Sequence, residues 1–179
     1  MAGPVVTAAV ILPFNMKMDG VRDSKKLSSG QRLKARESIL KSALTFAWGA
    51  ASPAEIDRLN IHRASLLAMR RAVLKLRPGP DYLLVDGRFT LDLAAGPAQK
   101  AVVKGDDRSV SIAAASILAK VMRDEIMVRL ARAFPGYGLE RNKGYPTKDH
   151  KEALVRLGPC PAHRFSYRPV KETQGSLFG

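Results

Sequence analysis

Two carboxylates in this chain are placed where they could do chemistry. Asp86 follows Tyr82-Leu83-Leu84-Val85 and precedes Gly87, at the C-terminal end of an apolar strand, where open α/β sheets present groups to their ligands. Asp124 falls inside a long helical stretch, four residues after Lys120 and near Ile117 and Val121 on the winding. Carboxylate oxygens suit hard divalent cations. Each residue also has an ordinary reading: an Asp-Gly pair is a common way to end a strand, and Asp124 can form a surface ion pair with Lys120 or Arg123. Neither identifies a site alone.

The elements that must position them alternate between strands and helices. Val5 to Leu12 is a β-branched and small-residue run that reads as a strand, with a turn near Asp19-Gly20. Ser29 is placed to cap a helix from Gln31 to Leu44, in which Leu33, Leu40 and Leu44 keep near-helical spacing, and Thr45 to Gly49 reads as a short strand. Ser52-Pro53-Ala54-Glu55 is an N-cap followed by proline at the first helical position. Asn60 caps a longer helix whose Ile61, Ala64, Ala68, Ala72 and Leu76 share a face, and Pro78-Gly79-Pro80 stops it.

Tyr82 to Val85 reads as a compact buried strand with Ala101-Val102-Val103 as its neighbour. The longest helix runs from Ser109 to Phe134, opening with small residues from Ser111 to Ser116 that allow close packing on a sheet. A further helix covers Lys148 to Leu157, and Gly158 to Val170 reads as a Pro-rich extended tail. With no internal repeat or long low-complexity linker, the pattern is one α/β domain over residues 1–170 and a flexible tail over 171–179.

Composition narrows the class. Lys and Arg outnumber Asp and Glu by 30 to 16, a formal net charge of +14 over 179 residues, which favours a polyanionic partner and salt-sensitive association. The charge gathers in one cluster from Arg22 to Lys41 and another from Lys143 to Lys171. Cys160 is the lone cysteine, which excludes an intramolecular disulfide framework and suits a reducing, cytoplasmic setting. The N-terminal apolar run is short for a membrane span and lacks the basic lead of a signal peptide. No Cys/His spacing suggests zinc; His62 reads as packing or surface, and His150 and His163 as structural hydrogen-bonders.

The words around the two carboxylates carry more than the carboxylates do. Asp23-Ser24-Lys25-Lys26-Leu27-Ser28, Glu55-Ile56-Asp57 with Asn60-Ile61, Val85-Asp86-Gly87, Lys104-Gly105-Asp106, Ser111 to Ile117, Ala119-Lys120-Val121 to Arg123-Asp124, Asn142 to Thr147, His150, Gly158-Pro159 and His163-Arg164 resemble, in order, the ribonuclease HII family. The resemblance spans Ala2 to Val170. It implies an α/β fold of the RNase H-like type, a mixed sheet flanked by helices with a helical C-terminal extension. It also implies an endoribonuclease that hydrolyses the RNA strand of RNA/DNA hybrids and cuts at ribonucleotides embedded in duplex DNA, as in ribonucleotide excision repair.

By the same resemblance the site is four carboxylates holding Mg²⁺ or Mn²⁺, and two of them map onto Asp86 and Asp124. The other two belong to an adjacent Asp-Glu pair on a central strand that, with a Gly-Arg-Gly turn sensing the ribonucleotide 2′-hydroxyl, precedes the segment resembling Ala2 to Val6. Neither motif occurs in that position here. The expectation is therefore a start assigned downstream of the true one, against gene decay or a fragment, with activity lost unless the strand is restored; the rival is a catalytically dead protein that binds hybrids or duplexes.

Tyr145 matches the family tyrosine that packs on the deoxyribose after the ribonucleotide, its alternative being a core tyrosine in a Gly-Tyr-Pro turn. Lys25, Lys26, Lys104 and Lys143 are the candidate phosphate contacts. Asp106 and Asp107 order the loop before the helix, and Asp23 reads as a loop cap. Finally, Gln174-Gly175-Ser176-Leu177-Phe178 resembles the short peptides with which bacterial replication proteins dock on the sliding clamp, through Gln174, Leu177 and Phe178. A monomer is expected.

Overall fold

The computed structural model describes residues 1–14 and 27–176. In chain order the elements are β1 (Val5–Ile11), α1 (Ser29–Ser42), β2 (Thr45–Ala51), α2 (Pro53–Val73), β3 (Tyr82–Asp86), β4 (Ala98–Val102), α3 (Gly105–Arg108), α4 (Val110–Ala133), α5 (Leu139–Asn142), α6 (Lys148–Leu157) and α7 (Arg168–Ser176). They gather into two compact units, Val6–Ala50 with Leu66–Val121, and Met1–Val5 with Ala51–Ser65 and Met122–Gly179.

The first unit holds the strands. Among the described residues β1 pairs with β2, and β3 pairs with β4 in a separate two-stranded sheet. β3 and β4 run parallel, in register from Tyr82 opposite Ala98 to Asp86 opposite Val102. The small residues that open α4 do what their size allows: Ala113 and Ala114 are fully buried, against Ile39 of α1 and with Phe46 and Trp48 of β2 at the margin. The Trp48 indole donates to the Leu118 carbonyl at 3.2 Å. A second cluster joins Ala9, Ala47, Ala72, Val73, Leu76 and Val85.

Two sequence expectations fail in this unit. β3 is not a buried strand: Val85 is buried, but Tyr82 is 53% and Leu84 38% exposed. Period-2 alternation sends Leu83 and Val85 to the core and leaves Tyr82, Leu84 and Asp86 on the other face. In α1 the cap is Ser28, not Ser29, forming a reciprocal box with Gln31. The helix buries Ile39 while Leu33 is 48% and Leu44 63% exposed; Leu33 lies about 120° round the helix from Ile39, and Leu44 falls beyond its end.

The second unit is built from helix ends and the C-terminal segment. Ser52 and Glu55 form the expected capping box. Asn60, at φ 66° and ψ 163°, breaks α2 into two helices, and its Oδ1 accepts the His62 and Arg63 N–H groups. Ile61 turns outward at 40% exposure, whereas Ala64 is fully buried. The α6 boundaries match expectation, set by the Thr147 cap and the Gly158 terminus.

Residues 158–170 are not an extended tail. Cys160, Ala162, His163, Arg164 and Val170 are buried, Ala2 bridges His163 antiparallel, and the Gly3 N–H donates to Ala162 at 2.7 Å. Asp57 accepts from the Phe165 and Ser166 N–H groups and the Ser166 hydroxyl. α7 then continues to Ser176. No described helix is long and apolar enough to cross a membrane.

Candidate active site

Asp86 closes β3 with its carboxylate exposed. Its Oδ1 accepts the Gly105 N–H at 2.9 Å, while the Gly87 N–H, at φ 110°, returns to the Val102 carbonyl. Because β3 and β4 are parallel, their C-terminal ends coincide, and Lys104 lies two residues beyond the partner of Asp86. Lys104 is exposed and left-handed at φ 53°, which turns the chain into α3. Gly105 has no room for a side chain: a Cβ there would meet Ile112 Cδ1 at 2.5 Å and Asp86 Oδ1 at 3.1 Å. Asp106 is buried beside it, consistent with a loop-ordering role. One sequence-predicted phosphate contact, Lys104, thus stands with Asp86 at one sheet end.

In the other unit Asp124 is half-buried in α4, and its chain neighbour Arg123 organises a turn. The turn, Lys143-Gly144-Tyr145, is left-handed at Lys143 (φ 50°) and Gly144 (φ 78°). Its three successive carbonyls are all taken. Lys143 O accepts from Arg123 Nη1 at 2.8 Å, Gly144 O from the Met1 and Ala2 nitrogens, and Tyr145 O from the Thr147 N–H and His150 Nδ1, each at 2.9 Å. Asn142 Oδ1 receives the Gly144 N–H at 2.8 Å. Only glycine serves at 144, since a Cβ would strike the Ala2 carbonyl as well as demand an unfavourable φ.

Tyr145 itself is 57% exposed, so it is not the core tyrosine of the alternative reading. Its backbone is fixed and its ring is presented, with the Arg123 guanidinium 5.6 Å from the ring centroid. Arg123 Nη2 also reaches Ala2 O at 3.4 Å. Burial lowers the Arg123 pKa, with Tyr145 and Asp124 acting the other way and Arg164 adding to it. Sequence reasoning named Tyr145 and Lys143 but missed the residues that hold them, Arg123, Asn142 and His150. The signal in the sequence was the Asn-Lys-Gly-Tyr word, where a glycine after a helix end marks a left-handed turn.

Lys25, Lys26 and Asp23 lie outside the described residues, as do Leu177, Phe178 and the Gln174 side chain. Among the described residues, no three His, Cys, Asp or Glu side chains form a group able to hold a metal ion. Asp86 and Asp124 are each oxygen donors of the right chemistry for a hard cation.

The family model for "Ribonuclease HII" matches residues 1–170. A relative from Ruegeria sp. (strain TM1040), "Ribonuclease HII", is 54% identical over 170 residues, covering 95% of this chain and 73% of the relative. The chain superposes on the crystal structure of the ribonuclease H2 from Pyrococcus horikoshii OT3 with a TM-score of 0.82 at 25% identity, covering 99% of this chain and 92% of that one. It also matches the structure of a PCNA:RNase HII complex from Archaeoglobus fulgidus, with a TM-score of 0.71 at 27% identity, covering 92% and 86%.

Proposed function

The chain belongs to the ribonuclease HII family, and from that premise we propose that it is an endoribonuclease acting on the RNA strand of RNA/DNA hybrids and at single ribonucleotides embedded in duplex DNA. The match over residues 1–170 carries this reading. In it, Asp86 and Asp124 are two of the carboxylates that hold Mg²⁺ or Mn²⁺, ions that supply an activated water and charge neutralisation at the phosphate when bound. Lys104 and Lys143, with Lys25 and Lys26, hold phosphates. Tyr145 offers an exposed ring to the sugar beside the ribonucleotide, supported by its 57% exposure on a pinned turn. The net charge of +14 draws the polyanion.

One observation favours a second reading: the net charge of +14 is enough to hold a polyanion without any metal-dependent chemistry. Under it the chain binds hybrids without cutting them. A duplex with one ribonucleotide, incubated with Mn²⁺, separates the two: cleavage at the ribonucleotide supports the enzyme, and retention of intact duplex supports the binder.

A sliding clamp is the proposed partner, through Gln174, Leu177 and Phe178, and a cytoplasmic monomer the proposed form. Replacing Leu177 and Phe178 with alanine leaves α7 in place and should abolish clamp capture; undiminished capture would remove this partner.

A further inference from the structure

Two histidines with no exposed surface lie beneath the Tyr145 turn. His150 and His163 are both at 0% exposure, and their Nε2 atoms are 3.2 Å apart. The surrounding bonds fix where the protons sit. The Cys160 N–H points at His163 Nδ1 from 3.1 Å, nearer than the Cys160 carbonyl at 3.3 Å, so that nitrogen accepts. The His163 proton is then on Nε2, where it donates to His150 Nε2. His150 must therefore carry its own proton on Nδ1, and that N–H donates to the Tyr145 carbonyl at 2.9 Å. The chain has one direction, from the Cys160 backbone through two neutral rings to the backbone of Tyr145.

The arrangement has little slack. A second proton on His150 would set two N–H groups against each other across the Nε2 contact, and one on His163 Nδ1 would face the Cys160 N–H at 3.1 Å, with the Cys160 carbonyl 3.3 Å away to receive it. Tyr137 packs edge-on against His163 at 4.9 Å and against His150 at 6.5 Å, and the Cys160 thiol lies 3.2 Å from His163 Nδ1. Burial lowers the pKa of both rings. A neutral pair here does what an aliphatic core residue could not: it reaches from the core to one carbonyl of an exposed turn and gives it a directional bond.

We propose that His150 and His163 are positioning residues for Tyr145, their ordered hydrogen-bond chain fixing the backbone from which the exposed ring meets the sugar beside a ribonucleotide. The assignment rests on the substrate reading above. The protons can be tested without substrate, and the consequence with it.

Nitrogen-15 spectra of the imidazoles at neutral pH should show His150 protonated at Nδ1 and His163 at Nε2. The opposite tautomer at His150 overturns the proposal whatever the protein binds. For the consequence, affinity is measured for a duplex with one ribonucleotide and for the same duplex in DNA, with Ca²⁺ to support binding without turnover. His150→Gln, which removes the Nδ1 donor, should weaken ribonucleotide-duplex binding about tenfold, the scale of one lost directional bond. His150→Asn, which can keep a donor at the δ position, should restore most of it.

In a Tyr145→Ala background His150→Gln should cost less than about twofold, since a residue acting through Tyr145 has nothing left to position. An equal loss in both backgrounds would show a merely structural role and overturn the proposal. If His150→Gln does not fold, His163→Asn, which can keep an acceptor for Cys160 but removes the donor to His150, carries the same cycle with the same two outcomes. Lack of any ribonucleotide preference in the unaltered protein would instead remove the substrate reading, and the proposal with it, even with the tautomers as expected.

Discussion

Replacing Arg123 with methionine removes the guanidinium while keeping much of the apolar stem, and so isolates what the charge holds. The 2.8 Å bond to Lys143 O, from a charged donor, contributes about 1.5 to 3 kcal/mol. The longer 3.4 Å reach to Ala2 O adds under about 1 kcal/mol, and the cation over the exposed Tyr145 ring about 0.5 to 1 kcal/mol. Against roughly 2 to 5 kcal/mol gross stands the cost of burying the guanidinium, which lowers its pKa and offsets on the order of 1 to 2 kcal/mol. The net loss expected in urea unfolding is about 2 kcal/mol, with the midpoint reduced and the slope unchanged. Arg123→Lys should recover less than half, because one ammonium does not span two carbonyls and a ring as the planar fork does. A loss below about 0.5 kcal/mol for methionine, or full recovery by lysine, would refute the claim that Arg123 holds the turn.

Gly144→Ala should destabilise by about 3 kcal/mol in the same assay, since it combines a φ of 78° with a Cβ driven into the Ala2 backbone; a loss under about 1 kcal/mol would show that the turn yields easily. For pH dependence the sign follows from protons. His163 is lowered from 6.5 to about 4 by burial and by His150, with the Cys160 backbone opposing and the Met1 amine adding to the lowering; the Cys160 thiol and Tyr137 hydroxyl complete its titratable surroundings. The unfolded chain therefore binds more protons than the folded one between those values, and stability present above about pH 6.5 is lost as pH falls towards 4. His163→Gln should flatten that decline relative to the unaltered protein; superimposable curves would contradict a neutral buried pair.

What could be read from the sequence was local. Thr147 and Gly158 bound α6 because a cap and a terminating glycine act within one turn, and Ser52 with Glu55 opens α2 for the same reason. Asp86 was legible as a strand end because an apolar run stopping at Asp-Gly is a local pattern too. What was missed depends on partners far along the chain. The exposure of Tyr82 and Leu84 follows from which face of β3 the core covers, and a run of four apolar residues looks the same whether one face is covered or both. The burial of residues 158–170 depends on Met1, Ala2 and Gly3 bonding to Arg164, His163 and Ala162, pairings no periodicity reveals. Arg123 read as half of an ion pair with Asp124, whereas its hydrogen bonds go to carbonyls 20 and 121 residues away.

The central proposal is that Asp86 and Asp124 are each needed for metal-dependent hydrolysis at a ribonucleotide. It is tested most directly by single-turnover cleavage of an end-labelled duplex with one embedded ribonucleotide, across a Mn²⁺ titration, using the unaltered protein and its Asp86→Asn and Asp124→Asn variants. The expected result is Mn²⁺-dependent cleavage at the ribonucleotide by the unaltered protein and none by either asparagine variant. An unchanged rate in either asparagine variant would contradict it.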